Sequence, residues 1–441
     1  MSRVTAAATA DLTEAATRPS RVLRLHRPST RLIIIFAVAF LVRAVYALTA
    51  MRHYALHSDA AHYNEIASAV AHGKGVSSVY PYVWFHHTAF RPPLYPLLLG
   101  GAYAIFGVHI GVAQGLNIIL GSFVVVSVYV LTARLAGTRA ALIAAGLATI
   151  YPPLVANDVT VLTEPLALLL MLGMLIAVER RSWVIGGALT GLLLLTRPSA
   201  QLLLPVVALF IWWKADWRKA AVFLVAGIIC VVPWVIRNEI YFGSPVIVTS
   251  NGFNLAAIWS SQAIAQERFI DPVKDPRLAS VRHYRTASGA IDYSNFNEAH
   301  LDAAFRRAGI QGLEHHLGRA PRILLDNVEF LTDYNWRWDD SAERLDGRNM
   351  GVRHATLPFV WATEILGAIG LVLLARRGQV LVPLVALYFF AVALVTVSPP
   401  RLRAPYDVLT CVAVGYLATV VWKHFEARRG LSGSKEMHSD A

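Results

Sequence analysis

Acids and arginines standing just outside apolar runs are the residues of this chain best placed to do chemistry. In the segment His57-Ser58-Asp59-Ala60-Ala61-His62-Tyr63-Asn64-Glu65, Asp59 opens an amphipathic helix directly after the first apolar run. A carboxylate there can act as a general base or a metal ligand at a membrane surface, or it can cap the helix together with Ser58. Two further acids, Asp158 and Glu164, stand at the mouth of a later run. Thr163-Glu164-Pro165 also has the form of a helix start, with proline in the first turn and negative charge favoured by the helix dipole. Acids at bilayer depth are costly, which marks them for function. Arginines recur beside the runs at Arg91, Arg197, Arg237, Arg401 and Arg403. Their planar forks suit a shared phosphate. Equally, Arg91 can snorkel to lipid headgroups, and each of the others can neutralise a nearby acid such as Asp407. His57 and Tyr406 are the supporting polar side chains beside these groups. The adjacent pair His86-His87 lacks the spacing of metal ligands on a helix and suits an interfacial patch.

The elements that must position these residues are membrane helices. The 441 residues are 56% hydrophobic and 15% charged, with a mean hydropathy of +0.50, which excludes an ordinary soluble domain and a disordered chain. Cys230 and Cys411 both lie inside apolar runs, so neither a disulfide framework nor a thiolate metal site is available. The formal net charge of +12 marks one face of a membrane rather than affinity for nucleic acid. Runs near the length of a spanning helix occupy residues 32–50, 110–131, 140–155, 161–178, 183–196, 201–213, 220–236, 356–375, 380–397 and 405–422, which gives about ten spans.

Charge sets the orientation. Arg18, Arg21, Arg24, Arg27 and Arg31 precede the first run, so the leader of residues 1–31 stays in the cytoplasm. The short run 94–108 is read as a re-entrant or interfacial helix, because letting it cross would move the Arg- and Lys-bearing loops after it to the outside. Both termini, including the tail from 423 to 441, are then cytoplasmic, and residues 51–109 and 237–355 face outward. The expected organisation is a catalytic membrane module over 32–236, an outer cap over 237–355 and C-terminal membrane helices over 356–422. Within the cap, 297–331 has helical periodicity and Asn251-Gly252 reads as a turn. No repeat of fixed period is visible.

Taken in order, HSDAAHYNEIA, FRPPLYPLLLGGAYAIFG, YPPLVANDVTVLTEPLALLLML, LTRPSAQLLLP, VVPWVIRNEIYFGSPVIVTSNGFNL and PPRLRAPYDVLTCVAVGYL resemble the GT-C superfamily of lipid-linked-sugar glycosyltransferases. Within it, the branch containing protein O-mannosyltransferases and lipid A aminoarabinose transferases is the most similar, over roughly residues 32–260 and 320–420. The resemblance implies an all-α polytopic fold and inverting transfer of a sugar from a polyprenyl-phosphate donor to a hydroxyl of a glycan, lipid or protein. It implies Asp59 as the catalytic acid-base residue and Glu164 as the second acid, with Asp158 as the alternative. Arg91, Arg401 and Arg403 match its contacts to the carrier phosphate, with Arg197 and Arg237 as further cations. A divalent cation at Asp59 and Glu164 is compatible with it, although Phe90 stands where some relatives carry a metal-binding Glu. A secondary transporter and a non-catalytic lipid-binding scaffold are the competing classes. A transporter is expected to show internal repeats and mid-bilayer ionisable groups, and a scaffold tolerates loss of Asp59.

Overall fold

A computed structural model of the chain describes residues 30–79, 86–267, 269–273, 297–334, 336–396 and 399–436. The leader arginines before Arg31 and the aromatic residues 80–85 lie outside them. Every apolar run becomes helical. The helices are α1 (Thr30–Thr49), α2 (Ser58–Ala71), α3 (Leu94–Phe106), α4 (Ile110–Ala136), α5 (Thr138–Ile150), α6 (Pro152–Asp158), α7 (Glu164–Glu179), α8 (Trp183–Leu194), α9 (Leu203–Lys214) and α10 (Trp217–Phe242). After these come α11 (Asn251–Trp259), α12 (Ser261–Gln266), α13 (Glu298–His315), α14 (Ala320–Leu331), α15 (Trp336–Leu345), α16 (Met350–Arg376), α17 (Leu381–Val395) and α18 (Ala404–Glu436). A two-residue ribbon pairs β1 (Ser77–Ser78) antiparallel to β2 (His86–His87), with Ser77 opposite His87.

This is a multi-pass membrane architecture, but the described residues do not form ten full-length spans. Among the described residues, α1, α4, α10, α16 and α18 are long and apolar enough to cross alone, and α5 with α6 makes a sixth, bent by 60° at Tyr151. The remaining runs form α7, α8, α9 and α17, of 16, 12, 12 and 15 residues. At 1.5 Å per residue these reach about 18–24 Å, short of a hydrocarbon core of about 30 Å. Hydropathy counts apolar residues whether or not their backbone is helical. Residues 161–163 and 195–196 are apolar enough to extend a run, yet they lie in bends and turns.

The interior is built on α4, α7 and α18, while α1 lies at the edge: 11% of its apolar window is buried, against 61% for α4 and for the span of α18. Glycines set the closest helix contacts. A Cβ on Gly187 of α8 would collide with the carbonyl oxygen of Phe223 on α10, and one on Gly191 with that of Gly227. Small residues at such seams let membrane helices approach closely. Gly187→Val is expected to lower stability by about 1–3 kcal/mol, read as a lower thermal unfolding midpoint in detergent.

Between α10 and α16 the expected helical stretch is present as α13, a short 3-10 turn and α14. Asn251-Gly252, expected as a turn, instead opens helix α11. Its glycine is required by proximity: a Cβ on Gly252 would strike the carbonyl oxygen of Asp302 on α13. Asp302 Oδ1 accepts from the Gly252 amide at 2.6 Å. The first helix of the short apolar run, α3, buries Tyr95, Leu99 and Tyr103 and exposes Leu97, Ile105 and Phe106.

Candidate functional site

Asp59 sits in the first turn of α2, yet the cap reading fails there: no side chain caps this helix, whose N-cap residue is the exposed His57. Ser58 enters the helix at φ +46°, a strained start for a non-glycine residue. The carboxylate is instead shared by two arginines from distant parts of the chain. Arg91 Nη2 donates to Oδ1, and Arg401 Nη2 donates to Oδ2. Burial pushes the Asp59 carboxyl up, but Arg91 and Arg401 outweigh it and hold the group well below the usual carboxylate range. Asp59 is therefore ionised at any working pH.

Each arginine is held from its other side. Arg91 Nε donates to His62 Nδ1 at 3.2 Å, and its guanidinium lies over the rings of Tyr63 and Phe90 at 5.4 and 5.1 Å. Burial, then Arg91, keeps His62 well below its ordinary pKa, so this imidazole is a neutral acceptor. Arg401 Nη1 pairs with Asp346 at 3.0 Å.

The segment carrying Arg91 is fixed from beneath. Thr88 Oγ1 and the Ala89 amide donate to Glu298 at 2.8 and 3.0 Å. Burial pushes Glu298 up to about 7 against these hydrogen bonds. Arg237 donates to the carbonyls of Thr88 and Val76, both at 3.1 Å, and is packed against Trp234 and Tyr241. It is a strut for the ribbon and not a free cation for a phosphate.

The remaining residues singled out in the sequence divide by partner. Glu164 starts α7 behind Thr163, with Pro165 in the first turn as expected, and pairs with Arg197 at 3.5 Å, both groups being buried. Its charge reaches Arg401 and Tyr63, so it borders the Asp59 cluster. Asp158 is drawn elsewhere, to Arg43 at 2.6 Å, so the two acids of this stretch have different partners. Arg403 is 1% exposed and surrounded by Asp407 and Glu364 at 2.9 Å and Asp333 at 3.2 Å. It also donates to the Leu331 carbonyl at 2.6 Å. Its donors face interior acids, the surroundings of a buried counter-ion. Tyr406 packs against Phe390 at 5.2 Å.

The donor set does not suit a divalent cation. Both Asp59 oxygens accept from guanidinium groups, Glu164 faces Arg197, and Phe90 offers no ligand. Among the described residues no three His, Cys, Asp or Glu side chains gather as a metal site.

Sequence reasoning missed Asp346, Glu298 and Arg43. Arg43 carried a readable signal, an ionisable residue inside an apolar run. Asp346 in ERLDGRN and Glu298 in NEAH resemble any polar loop or helix start, and only the fold brings them to Arg401 and Ala89. A cleft lined by Tyr46, Pro152, Arg348, Arg353, Arg401 and Arg403 opens beside the cluster.

With this geometry in place, the likenesses to known proteins can be read. The model of the family described as dolichyl-phosphate-mannose-protein mannosyltransferase matches residues 90–236, the stretch from Phe90 and Arg91 through Glu164 and Arg197 to the end of the apolar part of α10. No curated protein matches the chain in sequence. Among solved structures, the Archaeoglobus fulgidus oligosaccharyltransferase in complex with Zn and sulfate superposes with a TM-score of 0.51 at 14% identity, covering 90% of this chain and 50% of that one. The same protein tethered to an acceptor peptide containing the NVT sequon gives 0.50 at 13% identity, covering 91% and 51%. ArnT from Cupriavidus metallidurans bound to undecaprenyl phosphate gives 0.39 at 17% identity, covering 89% and 78%. The chain thus spans about half the length of the oligosaccharyltransferase and shares its fold over that half.

Proposed function

We propose that this chain is a membrane glycosyltransferase that moves a sugar from a polyprenyl-phosphate donor to a hydroxyl of a glycan, lipid or protein acceptor, with inversion. The site faces the outer side of the plasma membrane, and both termini are cytoplasmic. The observation that carries this reading is Asp59 held between Arg91 and Arg401, a carboxylate and two cations brought together from three separate parts of a membrane fold. Beside it, α3 exposes Leu97, Ile105 and Phe106, an apolar surface suited to a prenyl tail, while the arginines suit its phosphate.

Clamped by two guanidinium groups, Asp59 is a weak base. A donor phosphate that draws Arg91 and Arg401 toward itself releases the carboxylate and raises its proton affinity when a base is needed. The acceptor oxygen then attacks the anomeric carbon, and its proton passes to Asp59. The bond from that carbon to the phosphate oxygen breaks, and its electron pair leaves with the phosphate, whose growing charge the two arginines stabilise.

The test is transfer itself. The purified chain in liposomes, supplied with radiolabelled polyprenyl-phosphate sugars, is expected to move label from the lipid donor into an acceptor fraction. Failure with every donor sugar tried overturns the proposal. Arg401→Gln, which removes a charge-assisted contact to the phosphate, is expected to weaken binding of a prenyl phosphate by about ten- to a hundredfold, measured by titration calorimetry.

A further inference from the structure

With Asp346 ionised, the charges gathered at Asp59 balance before any donor arrives. Arg91 and Arg401 contribute two positive charges, and Asp59 and Asp346 two negative ones, with Arg401 held between the two carboxylates. A lipid phosphodiester adds one more negative charge to this enclosed set, and an uncompensated charge away from water is costly. Asp59 is required as a base in the reading above. Asp346 is the other acid on the same guanidinium.

Asp346 is placed to yield. It lies in the turn that ends α15, where its amide bonds back to the Ala342 carbonyl, and those of Gly347 and Arg348 bond to Arg344 and Glu343. Gly347 takes φ +76° there, and a Cβ on it would press on the ring of Tyr54. The turn is therefore fixed, and it puts a carboxylate at a helix C-terminus, the end that disfavours negative charge. The Asp346 side chain is 7% exposed, and its ion pair is with Arg401.

We propose that Asp346 belongs to the donor site as the carboxylate whose place on Arg401 the donor phosphate takes, and that it gains a proton as the phosphate arrives. The proposal rests on the reading that Arg91 and Arg401 receive a lipid-linked phosphate. The titratable and charged groups around Asp346 are Arg401 from the turn before α18, Glu343 from α15, Arg348 just beyond Gly347, Asp59 from α2, and Tyr54 from the turn before α2. Burial is the largest influence on Asp346. Glu343 and Asp59 act in the same direction, Arg401 and Arg348 oppose them, and the group is pushed up to about 7. Near neutral pH it is already part-protonated, and a phosphate on Arg401 moves it further the same way. His62 stays neutral and supplies no proton, and Glu298, which shares this range, faces the Thr88 hydroxyl and the Ala89 amide.

The linkage has a definite sign. A group that binds a proton with the ligand makes binding tighter at low pH and weaker as pH rises above its free value. A prenyl methyl phosphodiester is a suitable probe because its single charge does not change across this range. Calorimetric titration of the full chain in detergent, in buffers of different ionisation enthalpy, is expected to show uptake approaching one proton per ligand near pH 8. Affinity is expected to fall by up to about tenfold per pH unit above about 7. Asp346→Asn is expected to bind with no such slope and, at pH 8, more tightly than wild type; Glu343→Gln is expected to keep the slope. Binding by wild type without proton uptake overturns the proposal, as does a slope that survives in Asp346→Asn or disappears in Glu343→Gln. The proton count on wild type stands even where the Asn variant does not fold. Absence of phosphodiester binding at every pH overturns the donor-site reading as well, so the two failures are distinguishable.

Discussion

Asp59→Asn is expected to lower sugar transfer by at least about a hundredfold, the lower bound for losing a positioned general base, while binding a prenyl phosphodiester more tightly than wild type. The two effects have one origin. In the resting site the carboxylate occupies the anion position between Arg91 and Arg401, and so competes with the donor phosphate for both guanidinium groups. The amide keeps the shape and one acceptor oxygen but removes the charge, leaving two cations that an anionic ligand can satisfy. It also turns an NH2 toward one of the arginines, which weakens the resting clamp further. Transfer assays on liposomes at matched protein abundance give the rate, and calorimetry gives the affinity. Loss of transfer with unchanged or weaker phosphodiester binding would mean that Asp59 only supports the fold around the arginines. Retained transfer would make it a counter-ion and nothing more.

The positions where the sequence could be read and those where it could not differ in a physical way. Apolar runs are local, and each became helical because hydrophobicity and the need to satisfy backbone groups act over a single segment. The carboxylate at Asp59 and the arginines at 91 and 401 were legible as charges out of place beside those runs. Their assignment to one cluster was not legible from spacing, since they lie 32 and 342 residues from Asp59. Arg403 shows the same limit from the other side. Two residues from Arg401, and alike in type, it turns into Asp407, Glu364 and Asp333. Only the direction of a short 3-10 turn, Pro400–Arg403, separates a site cation from an interior counter-ion. Asp158 and Glu164 likewise share one stretch of sequence, and the break after α6 sends one to Arg43 and the other to Arg197.

Arg43→Met is expected to destabilise the chain by about 3–5 kcal/mol, the usual cost of leaving a buried acid without its partner. Arg43 and Asp158 are 0% and 1% exposed, so water does little to compensate either charge. The arginine also does more than pair. Besides Asp158, it donates to the carbonyls of Ala148 and Thr149 at 3.4 and 3.5 Å. These lie in the last turn of α5, where carbonyl groups lack helical partners. One side chain from α1 therefore holds both halves of the broken span, the end of α5 and the end of α6. A lysine has a single nitrogen and no fork, so Arg43→Lys is expected to fall short of wild type although it keeps the charge. Arg43→Met combined with Asp158→Asn is expected to recover part of the loss, because the stranded charge is gone while the carbonyls stay unmet. Thermal unfolding in detergent of wild type, Arg43→Met, Asp158→Asn and the double variant, analysed as a double-mutant cycle, measures this coupling; strictly additive losses would rule the pair out. The consequence reaches the site through Asn117, whose side-chain amide holds the Leu162 carbonyl at 3.0 Å in the turn running from the broken span to Glu164. A span that cannot keep its bend displaces that turn, so Arg43→Met protein that still folds is expected to transfer sugar more slowly without any direct contact to the donor.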